Sequence, residues 1–472
     1  MKKKTKIVAT ISDLRCEPEF IRSLYKAGMN VVRLNTAHQS PEQTLTIIEN
    51  VRSVSEKIAL LLDTKGPELR TVAMDEDIDI TEGTEIRLGG DPEGKSSHDH
   101  IYVNYKGFVE ELETGASILI DDGSLELVVK EKAGDHLVCK AMNNAVIKGK
   151  KSVNVPGASF KLPAVSQKDR EYIEFAAKHN LDFIAHSFVR SKEDLEEVRE
   201  ILDRHNSQVK IIAKIENQEG VNNLEEILDY SYGIMVARGD LAIEIPYEKI
   251  PGIQKMIITK CIERRKPVII ATQMLHSMIS EPRPTRAEVS DIANAIYSKT
   301  DAIMLSGETA HGKYPLETVQ TMSRVAKEVE KSRSDIHETQ IAVLNTQTSA
   351  YLAKSAVEAS IRLKAKAIIA DTTSGRTIRN MAGYRGRKLI YAMCYDQATV
   401  RRLALSFGVY PEYIEESHDS REFVGRALDK LVRKKKLENE DIVVILGGNF
   451  GRKHGASYLE ISSVENLIQM MP

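Results

Sequence analysis

Three charged residues in the middle of the chain have the types needed for phosphate or enolate chemistry. Lys214 lies inside an apolar run at residues 210–215, and Glu216 follows that run directly. Asp240 comes shortly after a second apolar run, residues 233–237. Two carboxylates can hold a hard cation such as Mg²⁺, which keeps most of its waters and takes few protein ligands. A lysine ammonium beside such a cation would stabilise an enolate or a transferring phosphoryl group.

Solvated surface is the alternative interpretation, because lysine and glutamate are common at strand ends. Two features favour a functional site instead. Lys214 lies within an apolar run, where an unpaired charge is costly. Gly239, next to Asp240, lets the backbone approach a ligand closely. The stretch between the two runs, residues 221–228, has an amphipathic helical pattern, so a strand–helix–strand unit would place these groups at the carboxyl ends of parallel strands.

Within residues 1–67 and 164–335, apolar runs of strand length occur at eight places, and helical patterns separate most of them. The predicted strands are residues 6–10, 30–35, 58–64, 182–188, 210–215, 233–237, 267–272 and 301–306. Eight parallel strands with intervening helices predict a (β/α)₈ TIM barrel, whose active site lies at the carboxyl ends of the strands. All eight predicted strands end in polar or charged residues, which include Thr10, Asn35, Thr64, Ser187, Glu216, Asp240, Thr272 and Ser306.

Two other parts of the chain have different sequence patterns. Residues 68–163 contain short β-rich runs and turn signals without a good helix, which predicts a small all-β domain inserted into the barrel. Residues 336–472 alternate helix and strand, which predicts an open, doubly wound α/β domain. The barrel would then comprise residues 1–67 and 164–335.

Composition limits the class of protein. The chain has 472 residues with 66 Lys and Arg against 68 Asp and Glu, a net charge of −2, which argues against a general nucleic-acid or membrane-surface binder. Four cysteines without paired spacing favour a reducing cytoplasm. The basic start is not a signal peptide, because its apolar run breaks at Ser12 and Asp13. No apolar stretch approaches the roughly 20 residues of a membrane helix.

Several stretches carry distinctive motifs, among them LLDTKGPELR, KIENQEG, GIMVARGDLAIEIP, PRPTRAEVSDIANAI and DAIMLSGETAHGKYPLE. Together they resemble the pyruvate kinase family over almost the whole chain, and RPTRAE with ARGDL is the most specific combination. The predicted domain order is also similar to that family. The resemblance implies Mg²⁺-dependent transfer of phosphate from phosphoenolpyruvate to ADP, giving pyruvate and ATP in the last step of glycolysis. Mn²⁺ is an alternative metal.

The resemblance also implies roles for the residues first singled out by their chemistry. Lys214 matches the lysine that stabilises the transferring phosphoryl group and the enolate. Arg33 matches the arginine that reaches the phosphates, and Thr272 matches the threonine that orients the substrate and the proton-delivering water. Glu216 and Asp240 match the protein ligands of Mg²⁺.

Further family positions match around this set. Gly239 and Asp240 match backbone contacts to the substrate carboxylate, and Ser187 matches a serine near the phosphate. The resemblance implies nucleotide contacts at Arg70, Lys151, Asn35 and His38. It implies monovalent-cation ligands, for K⁺, at Asn35, Asp63 and Thr64, and a loop behind the water chain at Ser306 and Glu308.

The C-terminal unit carries a phosphate-binding pattern after a predicted strand and at the start of a predicted helix. A phosphorylated effector would use Thr372, Ser374, Gly375 and Thr377. Ordinary helix capping by serine and threonine explains the same residues equally well. The second effector stretch of the family is matched only loosely by GGNFGRKHGAS, which leaves the effector's identity open. The resemblance further implies a homotetramer.

Two loops depart from the family pattern, residues 12–15 and residues 36–39. Ala37 replaces a serine that ligates the monovalent cation in the family, so one oxygen ligand is lost and the K⁺ requirement stays open. Glu68, in contrast, is what potassium-using members carry. Both altered loops lie near the nucleotide side, so nucleotide affinity or choice is also open.

Two alternatives to an active pyruvate kinase remain at this point. A different enolate enzyme on the same kind of barrel, such as a Mg²⁺-dependent lyase or aldolase, would need neither Arg70 nor Lys151 nor ADP. A non-catalytic effector sensor would explain the altered loops at residues 12–15 and 36–39. ADP-independent turnover of an oxo acid would favour the first alternative, and ligand binding without turnover would favour the second.

Overall fold

The structure is a computed structural model, and it describes residues 2–37, 39–332, 348–417, 419–448 and 455–469. Within these ranges, none of the helices combines the length and the apolar character that crossing a membrane would require. The described residues form a closed barrel, a β insert and a C-terminal sheet flanked by helices.

The chain begins with three strands separated by two helices, which are β1 (Lys6–Thr10), α1 (Pro18–Ala27), β2 (Val31–Asn35), α2 (Pro41–Val54) and β3 (Ala59–Asp63). Local sequence explains where the helices start and stop. Gly28 ends α1 with φ 125°, a conformation that side-chain-bearing residues rarely adopt. Ser40 begins α2 with a capping box, in which its hydroxyl accepts from the backbone of Gln43 and the Gln43 side chain bonds back.

A β insert follows, with no α-helix between residues 64 and 166, all of which the structure describes. Its strands are β4 (Ile78–Ile80), β5 (Glu85–Gly90), β6 (His100–Val103), β7 (Ser117–Ile120), β8 (Leu125–Ala133), β9 (His136–Ala141), β10 (Ala145–Ile147) and β11 (Val153–Asn154). Six of them form one sheet in the order β11-β7-β8-β9-β5-β6, and the predicted all-β character of the insert is confirmed. The separate pair β4 and β10 was missed, because three residues are too short to show an alternating pattern.

The barrel then resumes. The elements are α3 (Gln167–Lys178), β12 (Phe183–His186), α4 (Lys192–Arg204), β13 (Lys210–Ile215), α5 (Gln218–Asn222), α6 (Leu224–Tyr230), β14 (Gly233–Ala237), α7 (Arg238–Glu244), α8 (Ile250–Glu263), β15 (Val268–Ala271), α9 (Arg286–Tyr297), β16 (Ala302–Leu305), α10 (Gly307–Ala310) and α11 (Pro315–Ser332). The eight strands pair in parallel and close in the order β1-β16-β15-β14-β13-β12-β3-β2. The predicted (β/α)₈ barrel is therefore confirmed, although the single helix predicted over residues 221–228 is two short helices.

The C-terminal unit contains α12 (Thr348–Arg362), β17 (Ala367–Thr372), α13 (Arg376–Gly383), β18 (Leu389–Cys394), α14 (Gln397–Leu403), β19 (Val409–Tyr413), α15 (Ser420–Arg433), β20 (Ile442–Gly448), β21 (Ala456–Ser463) and α16 (Val464–Gln469). Its sheet has the order β19-β18-β17-β20-β21, and only β21 runs antiparallel to its neighbour. Apolar clusters on both faces confirm the predicted doubly wound α/β class. Strands β19 and β21 were missed.

The proposed domain boundaries stay a prediction. Those after residues 67 and 163 fall in the loops that connect the barrel to the insert. The boundary after residue 335 lies outside the described residues.

Side chains inside the barrel change character from its base to its mouth. An apolar layer fills the interior and includes Val31, Leu61, Ala185 and Ile212, with Leu405 of the C-terminal unit packed against the same cluster. Successive side chains of a strand point to opposite faces, so residues two positions further along point inward again. Those residues form the next layer towards the mouth, and they are Arg33, Asp63, Ser187 and Lys214.

Buried ion pairs attach the C-terminal unit to the base of the barrel. Arg385 contacts Asp301, just before β16, at 2.5 and 2.8 Å, and both side chains are almost fully buried. The Asp301 carboxylate also accepts from the backbone of Phe407 at 2.9 Å. Arg401 contacts Asp182, just before β12, at 2.7 Å. Charged groups therefore fix this interface at the starts of two barrel strands.

Candidate active site

The Lys214 ammonium lies at the centre of a group of polar side chains at the barrel mouth. Its Nζ is 3.1 Å from Asp63 Oδ1 and 3.1 Å from Glu216 Oε1, and it donates to Ser187 Oγ at 2.6 Å. Arg33 approaches from the other side, with Nε 2.5 Å from Asp63 Oδ2. The structure thus brings these five side chains together from strands β2, β3 and β13 and the end of β12.

The Asp63 carboxylate lies between two cations, Arg33 and Lys214. Burial alone would raise the pKa of Asp63, but the two neighbouring positive charges lower it below its ordinary value. Burial alone would lower the pKa of Lys214, but the carboxylates of Asp63 and Glu216 raise it above its ordinary value. Lys214 is consequently held as a cation at the mouth of the barrel.

Glu216 and Asp240 form a pair of acidic groups next to Lys214. Burial raises the pKa of Glu216 to about 8, and the charge of Asp240 acts in the same direction. Burial also raises the pKa of Asp240. The backbone N–H of Phe188 donates to Glu216 Oε2 at 2.7 Å and fixes its orientation. A hard divalent cation would offset the burial of these carboxylates, so the donor set fits Mg²⁺.

This pair is a sparse donor set. Within the described part of the chain, no three His, Cys, Asp or Glu side chains are grouped so that they could hold a metal ion. Glu216 and Asp240 could therefore supply only part of a coordination sphere. That agrees with the preference of Mg²⁺ for one or two carboxylates together with waters and substrate oxygens.

Thr272 occupies a strained position at the end of β15. Its φ of 69° is unusual for a β-branched residue and costs about 1–3 kcal/mol, a strain that is typical of functional sites. Its hydroxyl accepts from the backbone N–H of Gly239 at 2.8 Å and donates to the carbonyl of Ala271 at 2.6 Å. Thr272 is thereby tied to the first turn of α7, which carries Asp240.

Arg238 supports this strained turn, a role that the sequence did not indicate. Its Nη2 donates to the carbonyl of Thr272 at 2.6 Å, while its Nη1 contacts the Asp291 carboxylate at 2.7 and 2.8 Å. Its position directly after β14 was visible in the sequence, but its partner on α9 was not, because the two residues are far apart in the chain.

The residues matched to nucleotide binding are not gathered at the Lys214 cluster. Arg70 pairs with Glu68 at 2.7 Å, and Lys151 pairs with Asp121 at 2.9 Å, both within or beside the β insert. Asn35 Oδ1 accepts from the backbone of Ala37 at 3.2 Å. His38 lies outside the described residues.

The oxygens matched to the monovalent cation are engaged in internal contacts. Both Asp63 oxygens contact cations, and Asn35 Oδ1 accepts a backbone N–H. Thr64 Oγ1 accepts from the backbone of Ser187 at 3.1 Å. Each of these oxygens already has an internal partner, so a monovalent cation would have to share them with those contacts.

The altered loops are tied to the barrel. In the first loop, Ser12 Oγ donates to the carbonyl of Ala310 at 2.5 Å, and Arg15 donates to the carbonyl of Gly312. In the second loop, Thr36 Oγ1 donates to the carbonyl of Asp63 at 2.9 Å. Ser12, Arg15 and Thr36 in the two altered loops therefore each bond to the backbone of the barrel domain.

Ser306 and the buried Glu308 form a turn behind the mouth. Glu308 Oε2 accepts from the backbone of Ser306 at 2.7 Å, and Oε1 accepts from the backbone of Leu275 at 3.2 Å. Leu275 follows Thr272 in the same loop, so this carboxylate links the ends of β15 and β16.

The loop matched to an effector lies between β17 and α13 in the C-terminal unit. Thr372 Oγ1 accepts from the backbone of Gly375, which has φ 78°, at 2.8 Å, and Thr377 is buried. Only Ser374 of the four residues is exposed. The hydrogen bond at Thr372 is an ordinary capping contact, which was the alternative explanation of these residues. Effector binding stays a prediction.

A cleft of about 480 Å³ lies between the β insert and the barrel next to Asp240. The insert side contributes Arg70 and Phe160, and the barrel side contributes Phe188 and Glu244. Arg70 is the one residue of the nucleotide set among the described lining residues. The insert therefore forms one wall of a cavity that opens beside Asp240.

Comparison with known proteins agrees with this geometry. Residues 2–319 match the model of the pyruvate kinase barrel domain, and residues 351–462 match the model of the pyruvate kinase alpha/beta domain. A pyruvate kinase of Borreliella burgdorferi is 49% identical over 472 residues, covering 99% of this chain and 98% of that protein. A pyruvate kinase of Geobacillus stearothermophilus is 41% identical and covers 99% of this chain and 81% of that protein.

A solved structure shows the same architecture. The crystal structure of a pyruvate kinase from Cryptosporidium parvum aligns with a TM-score of 0.92 and 36% sequence identity, covering 98% of this chain and 96% of that one. Barrel, insert and C-terminal unit are therefore shared along the whole length. The chain belongs to the pyruvate kinase family.

Proposed function

We propose that the chain catalyses Mg²⁺-dependent transfer of the phosphoryl group of phosphoenolpyruvate to ADP, giving pyruvate and ATP. The contact of the Lys214 ammonium with both Asp63 and Glu216, at 3.1 Å each, carries this proposal. It fixes a buried cation beside two acidic groups at the mouth of a barrel. Phosphoryl transfer needs little beyond positioning and charge stabilisation, which is what this group supplies.

Each residue of the cluster has a part in this proposal. Lys214 and Arg33 supply positive charge to the transferring phosphoryl oxygens and to the enolate oxygen that remains. Asp63 holds both cations in place, because each contacts one of its oxygens. Glu216 and Asp240 would hold the Mg²⁺ ion, which when bound neutralises charge on the substrate oxygens. Mn²⁺ is the alternative metal.

Thr272 and the first turn of α7 would position the organic part of the substrate. The Gly239 N–H is bonded to the Thr272 hydroxyl at 2.8 Å, so the strand end and the helix start form one rigid unit. We assign the backbone of Gly239 and Asp240 to the substrate carboxylate and the Thr272 hydroxyl to substrate orientation. The Ser187 hydroxyl, 2.6 Å from Lys214 Nζ, would lie near the phosphate.

Gly239→Ala tests this assignment without disturbing the fold. An added Cβ would meet only Thr272, at 3.7 Å, and alanine is favoured over glycine in a helix, so stability should not fall. The variant keeps the backbone N–H, but its methyl group would hold a ligand away from the backbone that glycine lets it approach closely. Weakening one hydrogen bond to a charged ligand corresponds to about 1.5–3 kcal/mol, so we expect KM for phosphoenolpyruvate to rise roughly 10- to 100-fold. Steady-state kinetics measure this rise.

Gly252→Ala is the matched control, because Gly252 also lies in the first turn of a helix and an added Cβ meets nothing within 4 Å. We expect unchanged KM values for this control. An unchanged KM for phosphoenolpyruvate in Gly239→Ala would contradict the assignment of that backbone.

The nucleotide would bind between the insert and the barrel. Arg70 and Lys151 are its proposed partners from the insert, together with Asn35 and His38. Arg70 and Lys151 pair with Glu68 and Asp121 in this structure, so nucleotide phosphates would compete with those carboxylates. Movement of the insert over the mouth would complete the site. K⁺ is the proposed monovalent cation on the strength of the resemblance, and no step is assigned to it.

Pyruvate formation is the direct test of the function. The purified chain, supplied with phosphoenolpyruvate, ADP and Mg²⁺, should form pyruvate and ATP in equal amounts in a coupled assay. Absence of pyruvate at saturating substrates would refute the proposal. Turnover of an oxo acid without ADP would instead indicate a lyase or aldolase, and phosphate-ester binding without turnover would indicate a sensor.

Three further properties are proposed on the resemblance and the sequence. The chain would form a homotetramer, and Thr372, Ser374, Gly375 and Thr377 would bind a phosphorylated effector. The cytoplasm is the proposed location, and the four cysteines are free thiols, as a reducing compartment requires. Light scattering of the purified chain would test the tetramer.

A further inference from the structure

An arginine of the barrel holds the segment by which the β insert returns to the barrel, beside an exposed hydrogen bond from Ser159 Oγ to Glu219 Oε2 at 2.9 Å. We call residues 156–165 the return segment. Arg190 Nη1 donates to the carbonyl of Phe160 at 2.9 Å, and Arg190 Nη2 donates to the carbonyl of Leu162 at 3.0 Å. Both acceptors are backbone groups, so the contact fixes the path of the chain rather than one side chain.

Arg190 itself is firmly held within the barrel. Its Nε and Nη2 contact the two Asp194 oxygens at 3.2 and 2.9 Å, and its backbone N–H donates to Asp194 Oδ2 at 2.8 Å. The side chain of Asn223 donates to the Arg190 carbonyl at 2.9 Å. The planar guanidinium therefore has a fixed orientation, and its donors point at the return segment.

Phe160 transmits this anchoring to the insert. Its carbonyl bonds to Arg190, whereas its ring stacks on Phe108 with a centroid separation of 5.9 Å and an interplanar angle of 9°. The ring of Tyr105 meets Phe160 edge-on at 6.1 Å. Phe108 belongs to the apolar core of the insert. One residue thus connects the barrel guanidinium to the insert core.

The departing segment of the insert is anchored separately. Asp169, fully buried at the start of α3, accepts from the backbone of Lys65 at 2.9 Å and of Gly66 at 3.2 Å. These residues directly follow Asp63 and Thr64. The departing segment is therefore fixed close to the reacting groups, and the orientation of the insert depends on how the return segment is fixed.

We propose that Arg190 is a positioning residue that sets the orientation of the β insert over the barrel mouth and thereby places Arg70 and Lys151 for the nucleotide. This inference rests on the proposed phosphoryl transfer to ADP. Arg190 lies three residues after Ser187, so the same loop carries a group of the cluster and the anchor of the insert. Lysine cannot replace Arg190 in this role. The planar guanidinium has several donors in a fixed arrangement and contacts Asp194 and two carbonyls at once, whereas a single ammonium group cannot hold all three acceptors in that geometry.

The test measures insert orientation and kinetics on the same full-length variants. Spin labels at Val146→Cys in the insert and Tyr230→Cys in the barrel use two exposed positions, and Cys16→Ser leaves only buried native thiols. Pulsed electron spin resonance then gives the distribution of distances between the labels. Arg190→Lys and Arg190→Met are compared with Arg170→Met, a control whose arginine pairs with Glu197 on α4 and contacts no residue of the insert in the described structure.

We expect a broadened label distance and a fall of roughly tenfold or more in kcat/KM for ADP in both Arg190 variants. The control should keep the parent distribution and rates within about twofold. Arg190→Lys retains a charge for Asp194, which keeps the proposal testable if Arg190→Met fails to fold.

An unchanged distance distribution in folded Arg190→Lys would overturn the proposal, whatever its rate. A broadened distribution with unchanged kcat/KM for ADP would overturn the link to catalysis. The distance measurement does not require turnover. A parent chain that forms no pyruvate would therefore refute the proposed function, and the distance between the spin labels would still decide whether Arg190 sets the orientation of the insert.

Discussion

Lys214→Met is expected to lower kcat by about 10³-fold or more while the chain stays folded. Methionine keeps the length of the side chain but removes the charge that contacts Asp63 and Glu216. The phosphoryl group and the enolate would then lose their nearest fixed cation. Initial rates of pyruvate formation at saturating substrates measure the effect.

The fold should survive this substitution because both acidic neighbours of Lys214 can remain stable without its ammonium group. Asp63 keeps its contact with Arg33 at 2.5 Å. Burial has already raised the pKa of Glu216 to about 8, so the carboxyl group can take up a proton when the ammonium is gone. Far-ultraviolet circular dichroism and the unfolding temperature check that the variant is folded.

Lys210→Met is the matched control, because Lys210 begins the same strand at the opposite end of the barrel. Its expected kcat is close to that of the parent chain. Parent-like turnover in a folded Lys214→Met variant would contradict the role assigned to this lysine.

Asp301→Ala is expected to destabilise the chain by about 3–5 kcal/mol. The Asp301 carboxylate contacts Arg385 twice and accepts from the backbone of Phe407 and Val268, all at the base of the barrel. Its removal would leave the buried Arg385 guanidinium without this carboxylate. The attachment of the C-terminal unit to the barrel would weaken as a result.

Urea unfolding followed by circular dichroism measures this loss as a shift of the midpoint, because a chain of several units need not unfold in one step. Asp429→Ala is the control, since Asp429 pairs with Arg433 on an exposed helix surface. Exposed pairs contribute about 0–1 kcal/mol. Equal midpoints for the two variants would contradict a structural role of the buried pair.

Most barrel strands could be predicted because their apolar runs end sharply in polar residues. The predicted bounds of β1, β13 and β14 agree with the structure to the residue. Helix α7 was missed, because it begins at Arg238 directly after β14 and no linker marks its start. Strand β19 was missed because its five residues include Pro411, and proline within a run argues against a strand.

The cluster at the mouth was only partly predictable from the sequence. Alternation along β13 places Lys214 on the inner face, and its apolar surroundings marked it as unusual. The position of Asp63 between two cations was not predictable, because Lys214 lies 151 residues further along the chain, as 214 − 63 shows. Pairings such as Arg238 with Asp291 depend likewise on closure of the barrel.

The placement of a divalent ion tests the central claim most directly. Crystals grown with Mn²⁺ in place of Mg²⁺ would show the ion by anomalous scattering. The account predicts an ion coordinated by carboxylate oxygens of Glu216 and Asp240 at about 2.0–2.3 Å, beside the Lys214 ammonium. An ion bound elsewhere at the mouth, with neither carboxylate as a ligand, would contradict it.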